Sequence, residues 1–279
     1  GKTSRYSRCQ LYVFSSLVSS GVGKESMPDV VVYPLVFLAA MVAGVMNVLA
    51  GSGSLLTLPA LVFLGLPSPV ANGTNRVGIV IQCLVGVETY RRGGKLRLER
   101  APWFIVPTIL GAVIGAWIAT LLTADQMDLA IGIVMVSMLL VLLVDPKRWL
   151  KEKTELPEGR PPLWLLAVFF TVGIYGGFIQ AGVGIMMLAA LVMGAGYELV
   201  EANAVKMLIA VLFTTGALAV FVLDAKVNWT YGAFMAVGQG FGAFLGARFA
   251  VESDRAAVWI RRLLIVIVTI SAAKFLGAF

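Results

Sequence analysis

The chain has 279 residues, of which 59% are hydrophobic and 13% are charged, whereas a soluble domain carries about 25% charged residues. Runs of about 20 apolar residues, long enough to cross a bilayer as helices, follow one another, and the short alternating strands of a membrane barrel are absent. The net charge of +7 lies mostly in short segments between these runs, so it does not indicate a nucleic-acid partner. The composition excludes a soluble domain and predicts an all-α polytopic membrane protein.

The residues needed for metal or acid–base chemistry are scarce. Histidine is absent, and the two cysteines are Cys9, near the start, and Cys83, within an apolar run. Membrane enzymes use clustered His, Asp and Glu for such chemistry. The sequence therefore predicts no metal site, no cofactor, no disulfide and no enzymatic activity, and it indicates that Cys83 is a buried packing residue.

The first 26 residues are basic, rich in serine and almost free of acidic residues. They have the composition of a targeting segment, or they precede a true start at Met27. We favour the second interpretation and predict that residues 1–27 form a tail outside the fold.

Residues 30–75 form an uncharged run that is too long for one membrane crossing. As a continuous helix it would extend about 69 Å, against a hydrocarbon core of about 30 Å. Its only strong interruption is the stretch AGSGS at residues 50–54, and glycine allows the left-handed conformations that a chain break needs. We predict a turn near mid-membrane, followed by a short or half helix.

Such a turn favours a ligand site. Non-helical backbone at this depth is tolerated where it is buried in protein or lines a cavity, and the first N–H groups of the next half-helix attract an anion. Ser52, Ser54 and Thr57 add hydroxyl groups. The alternative is that the glycines only allow close helix packing, which is the interpretation we prefer for Gly111, Gly115, Gly242 and Gly246.

The following stretch, PSPVANGTNRVGIV, has the pattern of a helix start, with Ser68 as N-cap and Pro69 at the first helical position. Arg76 then lies about 12 Å inside that helix. A buried cation costs several kcal/mol unless it is compensated. An anionic ligand is the simplest counter-ion, although pairing with Glu88 or Glu201, or extension to the interface, remains open.

Uncharged polar residues surround this cation at helical spacing. Asn72, Thr74 and Asn75 could orient an oxyanion, as could Asn203 beside a second buried base, Lys206. For each of them taken singly, and for Asn47, Gln180 and Gln239, a hydrogen bond between helices is the interpretation we prefer.

The second half of the chain repeats the first at a constant offset of 131 residues. The uncharged run at 163–197 is again too long for one crossing and is again interrupted by glycine. The matched pairs are Ala50-Gly51-Ser52-Gly53 with Ala181-Gly182-Val183-Gly184, Gly65 with Gly196, Ala71-Asn72 with Ala202-Asn203, Lys95 with Lys226, and Gly111–Ala116 with Gly242–Ala247. We predict two homologous repeats, 28–148 and 162–279, joined by a cytoplasmic linker at 149–161.

Loop charges predict that the two repeats are inverted. Basic loops remain in the cytoplasm, and the loop at 91–100 holds five Lys/Arg whereas its equivalent at 224–229 holds only Lys226. Conversely, the segment at 121–128 has no base, whereas residues 248–262 contain four arginines. Equivalent loops therefore face opposite sides, an arrangement frequent in transporters.

These motifs resemble a known family. The glycine-rich break followed by Pro59, then Gly65-Leu66-Pro67 and Ala71-Asn72-Gly73-Thr74, with a weaker copy in the second half, is similar to the TauE/SafE family of sulfite and organosulfur anion exporters. The family pattern has a glycine triplet at the break and a serine after Gly-Thr, where this chain has Ser52, Ser54 and Asn75. The resemblance implies transport of a small anion such as sulfite, thiosulfate or a sulfonate.

We therefore predict a secondary transporter in a bacterial or archaeal inner membrane, with an anion channel as the first alternative and a membrane-embedded accessory or assembly protein as the second. Its partners would be the lipid bilayer and a small-molecule anion, with a homo-oligomer left open. The predicted substrate-binding residues are Gly51, Ser52, Gly53, Ser54, Asn72, Thr74, Asn75, Arg76, Gly182, Gly184, Asn203 and Lys206.

Overall fold

The computed structural model describes residues 29–143 and 159–250, with side chains within 33–48, 51–141 and 159–248. The chain divides into two compact units, residues 1–32 and 33–279. Residues 29–32 of the first unit are helical, and the contacts below belong to the second unit. The predicted tail, Cys9, most of the linker at 149–161 and the arginines after Arg248 lie outside the described residues.

The described residues form helices and contain no strand, so the all-α prediction is confirmed. Three helices are long and apolar enough to cross a membrane, at Ala101–Thr120, Ala124–Val141 and Leu199–Leu223. In chain order the helices are α1 (Asp29–Ala50), α2 (Ser54–Phe63), α3 (Ser68–Arg92), α4 (Ala101–Thr120), α5 (Ala124–Leu143), α6 (Leu163–Phe178), α7 (Val183–Ala189, continued by a π-helix at Ala190–Ala195), α8 (Leu199–Leu223) and α9 (Trp229–Ala250).

The first uncharged run folds into a hairpin. After α1 the chain turns at Gly51, whose φ is 72°, and α2 returns along α1. Leu61 of α2 lies beside Val36 and Ala40 of α1 around a small apolar cavity. With 10 residues, α2 extends about 15 Å, roughly half the hydrocarbon core. The predicted break is therefore a turn at which the chain folds back along itself, called a re-entrant turn below.

The second uncharged run folds in the same way. Gly182, with φ of 74°, ends the turn between α6 and α7. The returning segment packs along α6, since a methyl group added at Gly176 would lie 3.0 Å from Val183 and one added at Gly194 would lie 2.6 Å from Leu165. The prediction of short helices beginning at glycine turns is confirmed in both halves.

Small residues allow the long helices to pack backbone against backbone. A methyl group added at Gly115 of α4 would lie 2.9 Å from the Phe178 nitrogen of α6. One added at Gly242 of α9 would lie 2.8 Å from the Met41 carbonyl carbon of α1. The packing role predicted for these glycines is confirmed, and the contacts run in parallel register in both pairs.

The helices run in two opposite directions. Residues 77 and 81 of α3 meet Gly232 and Gly240 of α9 in parallel order. In contrast, Gly86 of α3 meets Met207 near the start of α8, and Arg76 of α3 meets Phe221 near the end of α8. Thus α3 is parallel to α9 and antiparallel to α8. Together with the parallel pairs above, α1, α3 and α9 form one set, and α4 and α6 form a parallel pair.

The start of α3 differs from the prediction. The helix begins at Ser68 with Pro67 at the N-cap position, and the Ser68 hydroxyl donates to the Asp128 carboxylate instead of capping its own helix. An acidic acceptor on α5 thus competes with the local backbone for this hydroxyl group. The predicted N-cap role of Ser68 is wrong, although the helix position is correct to one residue.

Candidate functional site

The tips of the two hairpins touch. A methyl group added at Gly51 would lie 2.7 Å from the carbonyl carbon of Gly184, and one added at Gly184 would lie 2.7 Å from the Cα of Gly51. No side chain fits between them. The matched glycines therefore bring the two re-entrant turns into direct backbone contact.

A cavity of about 20 Å³ lies beside this contact. Both halves line it, with Asn47, Ser54 and Cys83 from the first half and Gln180, Gly184 and Lys206 from the second. This volume has room for about one water molecule. The cavity is therefore small, and residues that carry a cation, a thiol and a hydroxyl group line it.

Lys206 brings a cation to the cavity wall while only 1% of its surface is exposed. Its Nζ donates to the Asn47 carbonyl oxygen at 3.1 Å and to Asn203 Oδ1 at 2.8 Å. An ammonium group has three donors, so one remains for the cavity. No carboxylate pairs with Lys206 in the described parts of the chain.

The acidic residues considered as partners lie elsewhere. Glu201 pairs with Arg97 at 2.8 Å, and Glu88 pairs with Arg91 and Arg92 at the end of α3. Asp224 pairs with Lys226. The alternative in which Glu88 or Glu201 neutralises a buried base is therefore excluded.

Arg76 is fully buried but is bound by protein acceptors. Its Nη1 donates to the Gly176 carbonyl oxygen and to Gln180 Oε1, both at 3.1 Å, and its Nη2 donates to Asn72 Oδ1 and to the Gly177 carbonyl oxygen. Because helix carbonyls carry a partial negative charge at the C-terminus, the end of α6 compensates the guanidinium charge. Arg76 is absent from the cavity wall.

Side chains of each half donate hydrogen bonds to carbonyl oxygens at a helix end of the other half. Asn72 Nδ2 donates to the Phe178 carbonyl oxygen at 2.7 Å at the end of α6, just as Lys206 donates to the Asn47 carbonyl oxygen near the end of α1. Phe178 and Asn47 are equivalent at the offset of 131 residues, as are Asn72 and Asn203. Each half therefore holds the re-entrant tip of the other.

The other predicted donors are held by the protein. Thr74 Oγ1 accepts from the Asn228 backbone at 2.8 Å, Asn75 Oδ1 accepts from Thr57 at 2.7 Å, and Asn203 accepts from Lys206. The turn residues Gly53 and Gly182 pack against Asn47 and Met138. Ser52 is buried and its hydroxyl has no partner among the described residues. Of the predicted set, Ser54, Gly184 and Lys206 line the cavity.

Two cavity residues were not predicted as ligand contacts. Gln180 connects Arg76 to Thr214, which accepts from Gln180 Nε2 at 2.6 Å. Gln180 therefore forms the hydrogen bonds between helices that the sequence predicts for it. Cys83 is buried as predicted, but it also faces the cavity. Its spacing of seven residues from Arg76 places both on one helix face. This spacing indicates that Cys83 is buried, but not that it lines the cavity.

Replacing Arg76 with glutamine should lower stability more than ligand affinity. The change removes the charge that compensates the end of α6, and hydrogen bonds to charged groups contribute about 1.5–3 kcal/mol each. We expect a fall of several degrees in the Tm of the detergent-purified protein, with the anion Kd of the folded fraction changed less than about threefold. Normal Tm combined with lost binding would make Arg76 a ligand contact instead.

These features define a class of protein: an all-α membrane protein in which two hairpins meet beside a small cavity, whose wall holds a cation with no carboxylate partner among the described residues. The family model described as Sulfite exporter TauE/SafE matches residues 36–275. The chain belongs to this family.

Its curated relatives are also membrane proteins by name. The chain is 27% identical to the Probable membrane transporter protein ORF9 of Sinorhizobium sp, over 90% of this chain and 95% of that protein. It is 28% identical to the Probable membrane transporter protein YfcA of Escherichia coli K12, over 87% and 88%, and 22% identical to YunE of Bacillus subtilis, over 85% and 95%. No solved structure matches the chain.

Proposed function

We propose that this protein is a secondary transporter that moves a small anion of the sulfite, thiosulfate or sulfonate class across the cell membrane. The observation that carries the proposal is Lys206, a buried cation in the wall of a cavity beside the two hairpin tips, with no carboxylate partner in the part of the chain that the structure describes. Ser54, the first residue of α2, lies at the same cavity, and the N-terminus of a helix favours negative charge. Lys206, rather than Arg76, binds the anion.

The helix directions support an inverted, multi-pass arrangement. α1 is parallel to α9, and α4 is parallel to α6. Lys226, in the loop before α9, donates to the Thr120 carbonyl oxygen at the end of α4, and its own carbonyl lies against Gly73 near the start of α3. The end of α4 therefore lies beside the start of α3, which supports the proposal that equivalent helices of the two repeats run in opposite directions. Rocking of one half against the other would open the cavity to each side in turn.

Transport by a carrier predicts counterflow. The full chain in proteoliposomes loaded with unlabelled sulfite or thiosulfate should take up the labelled anion faster than empty vesicles do. Uptake should also saturate, because each protein molecule must complete a conformational cycle for every anion that it carries. An anion channel, the main alternative, would show neither trans-acceleration nor saturation. Absence of flux for every sulfur oxyanion, sulfonate and carboxylate tested would contradict the proposal, leaving an accessory role.

A further inference from the structure

Cys83 lines the same cavity as Lys206. Cys83 has no surface exposed to the outside, and the cavity wall places it with Lys206 and Ser54. Ser54 is 6% exposed, and no hydrogen bond of its hydroxyl is found within the described ranges. The cavity thus contains an unused hydroxyl group and a spare ammonium donor beside the thiol, which independently indicate a polar ligand at this place.

We propose that Cys83 lies on the path of the anion and is a modification site, so that a group attached to its sulfur stops transport and a bound anion shields it. The inference rests on the proposed function, because it takes the cavity at Lys206 as the anion site. A cavity of about 20 Å³ holds about one water molecule, so any adduct larger than this fills the space that the anion must use.

The positive charge of Lys206 gives this site a preference among thiol reagents. Opposite charges a few Å apart attract more strongly in protein than in water. An anionic reagent should therefore reach Cys83 faster than a cationic reagent of similar size. Accessibility requires the cavity to open, so modification should depend on turnover.

A matched pair of probes is 2-sulfonatoethyl methanethiosulfonate, which is anionic, and 2-(trimethylammonium)ethyl methanethiosulfonate, which is cationic. The Cys83 thiolate attacks the sulfenyl sulfur, a disulfide bond forms, the bond to the sulfonyl sulfur breaks, and methanesulfinate leaves. The thiol proton passes to water. No oxidant is needed, and the reagent group remains on Cys83 as a mixed disulfide.

The experiment uses the full chain with Cys9→Ser, which leaves Cys83 as the only cysteine because the sequence has two. In proteoliposomes under turnover, adduct formation is followed by intact mass and anion flux is measured in parallel. We expect the anionic reagent to react about tenfold faster than the cationic one, excess thiosulfate to slow the reaction, and flux to fall in proportion to adduct. Lys206→Gln should remove the charge preference.

Variants at Cys83 supply the control. Cys83→Ser, or Cys83→Ala if the serine protein does not fold, should show no adduct and no reagent-dependent fall in flux, whatever its starting rate. Absence of adduct on Cys83 during turnover, or complete modification with undiminished flux, would overturn the inference while leaving a Lys206-dependent transporter intact. Loss of flux with equal rates for both reagents would keep Cys83 on the path but contradict an anion-selective site, and so the proposed function.

Discussion

Replacement of Lys206 by glutamine should strongly weaken anion binding while the protein still folds. The side chain is 1% exposed and has no carboxylate partner within the described residues, so the ligand itself would supply the compensating charge. A hydrogen bond to a charged group contributes about 1.5–3 kcal/mol, and we therefore expect the Kd to rise by about 10- to 150-fold. Flux at low substrate concentration should fall by a similar factor.

The thermal stability of Lys206→Gln should not fall together with its anion affinity. Removing an uncompensated buried charge relieves its desolvation cost, and the Asn47 carbonyl oxygen still accepts from the Gly51 backbone at 2.9 Å. We expect the Tm of Lys206→Gln to equal or exceed that of the wild type without ligand. The opposite pattern is expected of Arg76→Gln, so the pair separates an anion contact from a structural cap.

The measurements are isothermal titration with sulfite and thiosulfate, thermal unfolding in detergent, and flux in proteoliposomes. The matched control is Lys226→Gln, which removes a lysine that pairs with Asp224 at 2.8 Å and lies outside the cavity wall. It should leave the anion Kd unchanged. Unchanged binding and flux in Lys206→Gln would show that the anion is held elsewhere.

The re-entrant turns could be predicted from the sequence because chain length and membrane thickness determine them. The run at 30–75 cannot extend through the bilayer in one helix, and glycine marks its only strong interruption. The close-packed glycines such as Gly115 and Gly242 were predictable for a related reason. Without a hydrophobic driving force between helices in lipid, small residues allow the backbones to approach.

The partners of the two buried bases could not be predicted. Arg76 is held by carbonyl oxygens at the end of α6, and a helix end has no distinctive residue type that marks it as a counter-charge. Similarly, Cys83 and Ser54 meet at one cavity only because two segments far apart in sequence pack together. The sequence presents Arg76 and Lys206 alike, as one buried base in each half; the difference between them arises from tertiary packing.

Substitution of Gly51 or Gly184 by alanine should strongly destabilise the contact between the two hairpin tips. The new methyl group of Gly184→Ala would lie 2.7 Å from the Gly51 Cα, and that of Gly51→Ala 2.7 Å from the Gly184 carbonyl carbon, against contacts of about 3.5–4.0 Å between unstrained carbon atoms. Both neighbours are backbone atoms that move only if the hairpin tips separate. Overpacking of this kind costs about 1–3 kcal/mol or more.

Three glycines distinguish steric clash from backbone strain. Gly51→Ala combines the clash with a φ of 72°, Gly184→Ala has the clash alone, and Gly65→Ala has a φ of 95° with no atom within 4 Å of the new methyl group. Left-handed conformation costs a non-glycine residue about 1–2 kcal/mol. Thermal unfolding should therefore show a larger destabilisation for Gly51→Ala than for Gly184→Ala or Gly65→Ala.

Flux per folded molecule should distinguish Gly184→Ala from Gly65→Ala. Because the tips form one wall of the cavity, Gly184→Ala should reduce flux per folded molecule by about tenfold or more, the factor that corresponds to 1.4 kcal/mol, whereas Gly65→Ala should leave flux per folded molecule within about twofold of the wild type. Gly65 is exposed and lies outside the cavity wall, so its strain changes stability without reshaping the site. If Gly184→Ala folded and transported like the wild type, the two tips would not need to touch during turnover, and a closed central cavity would no longer explain how the anion is carried.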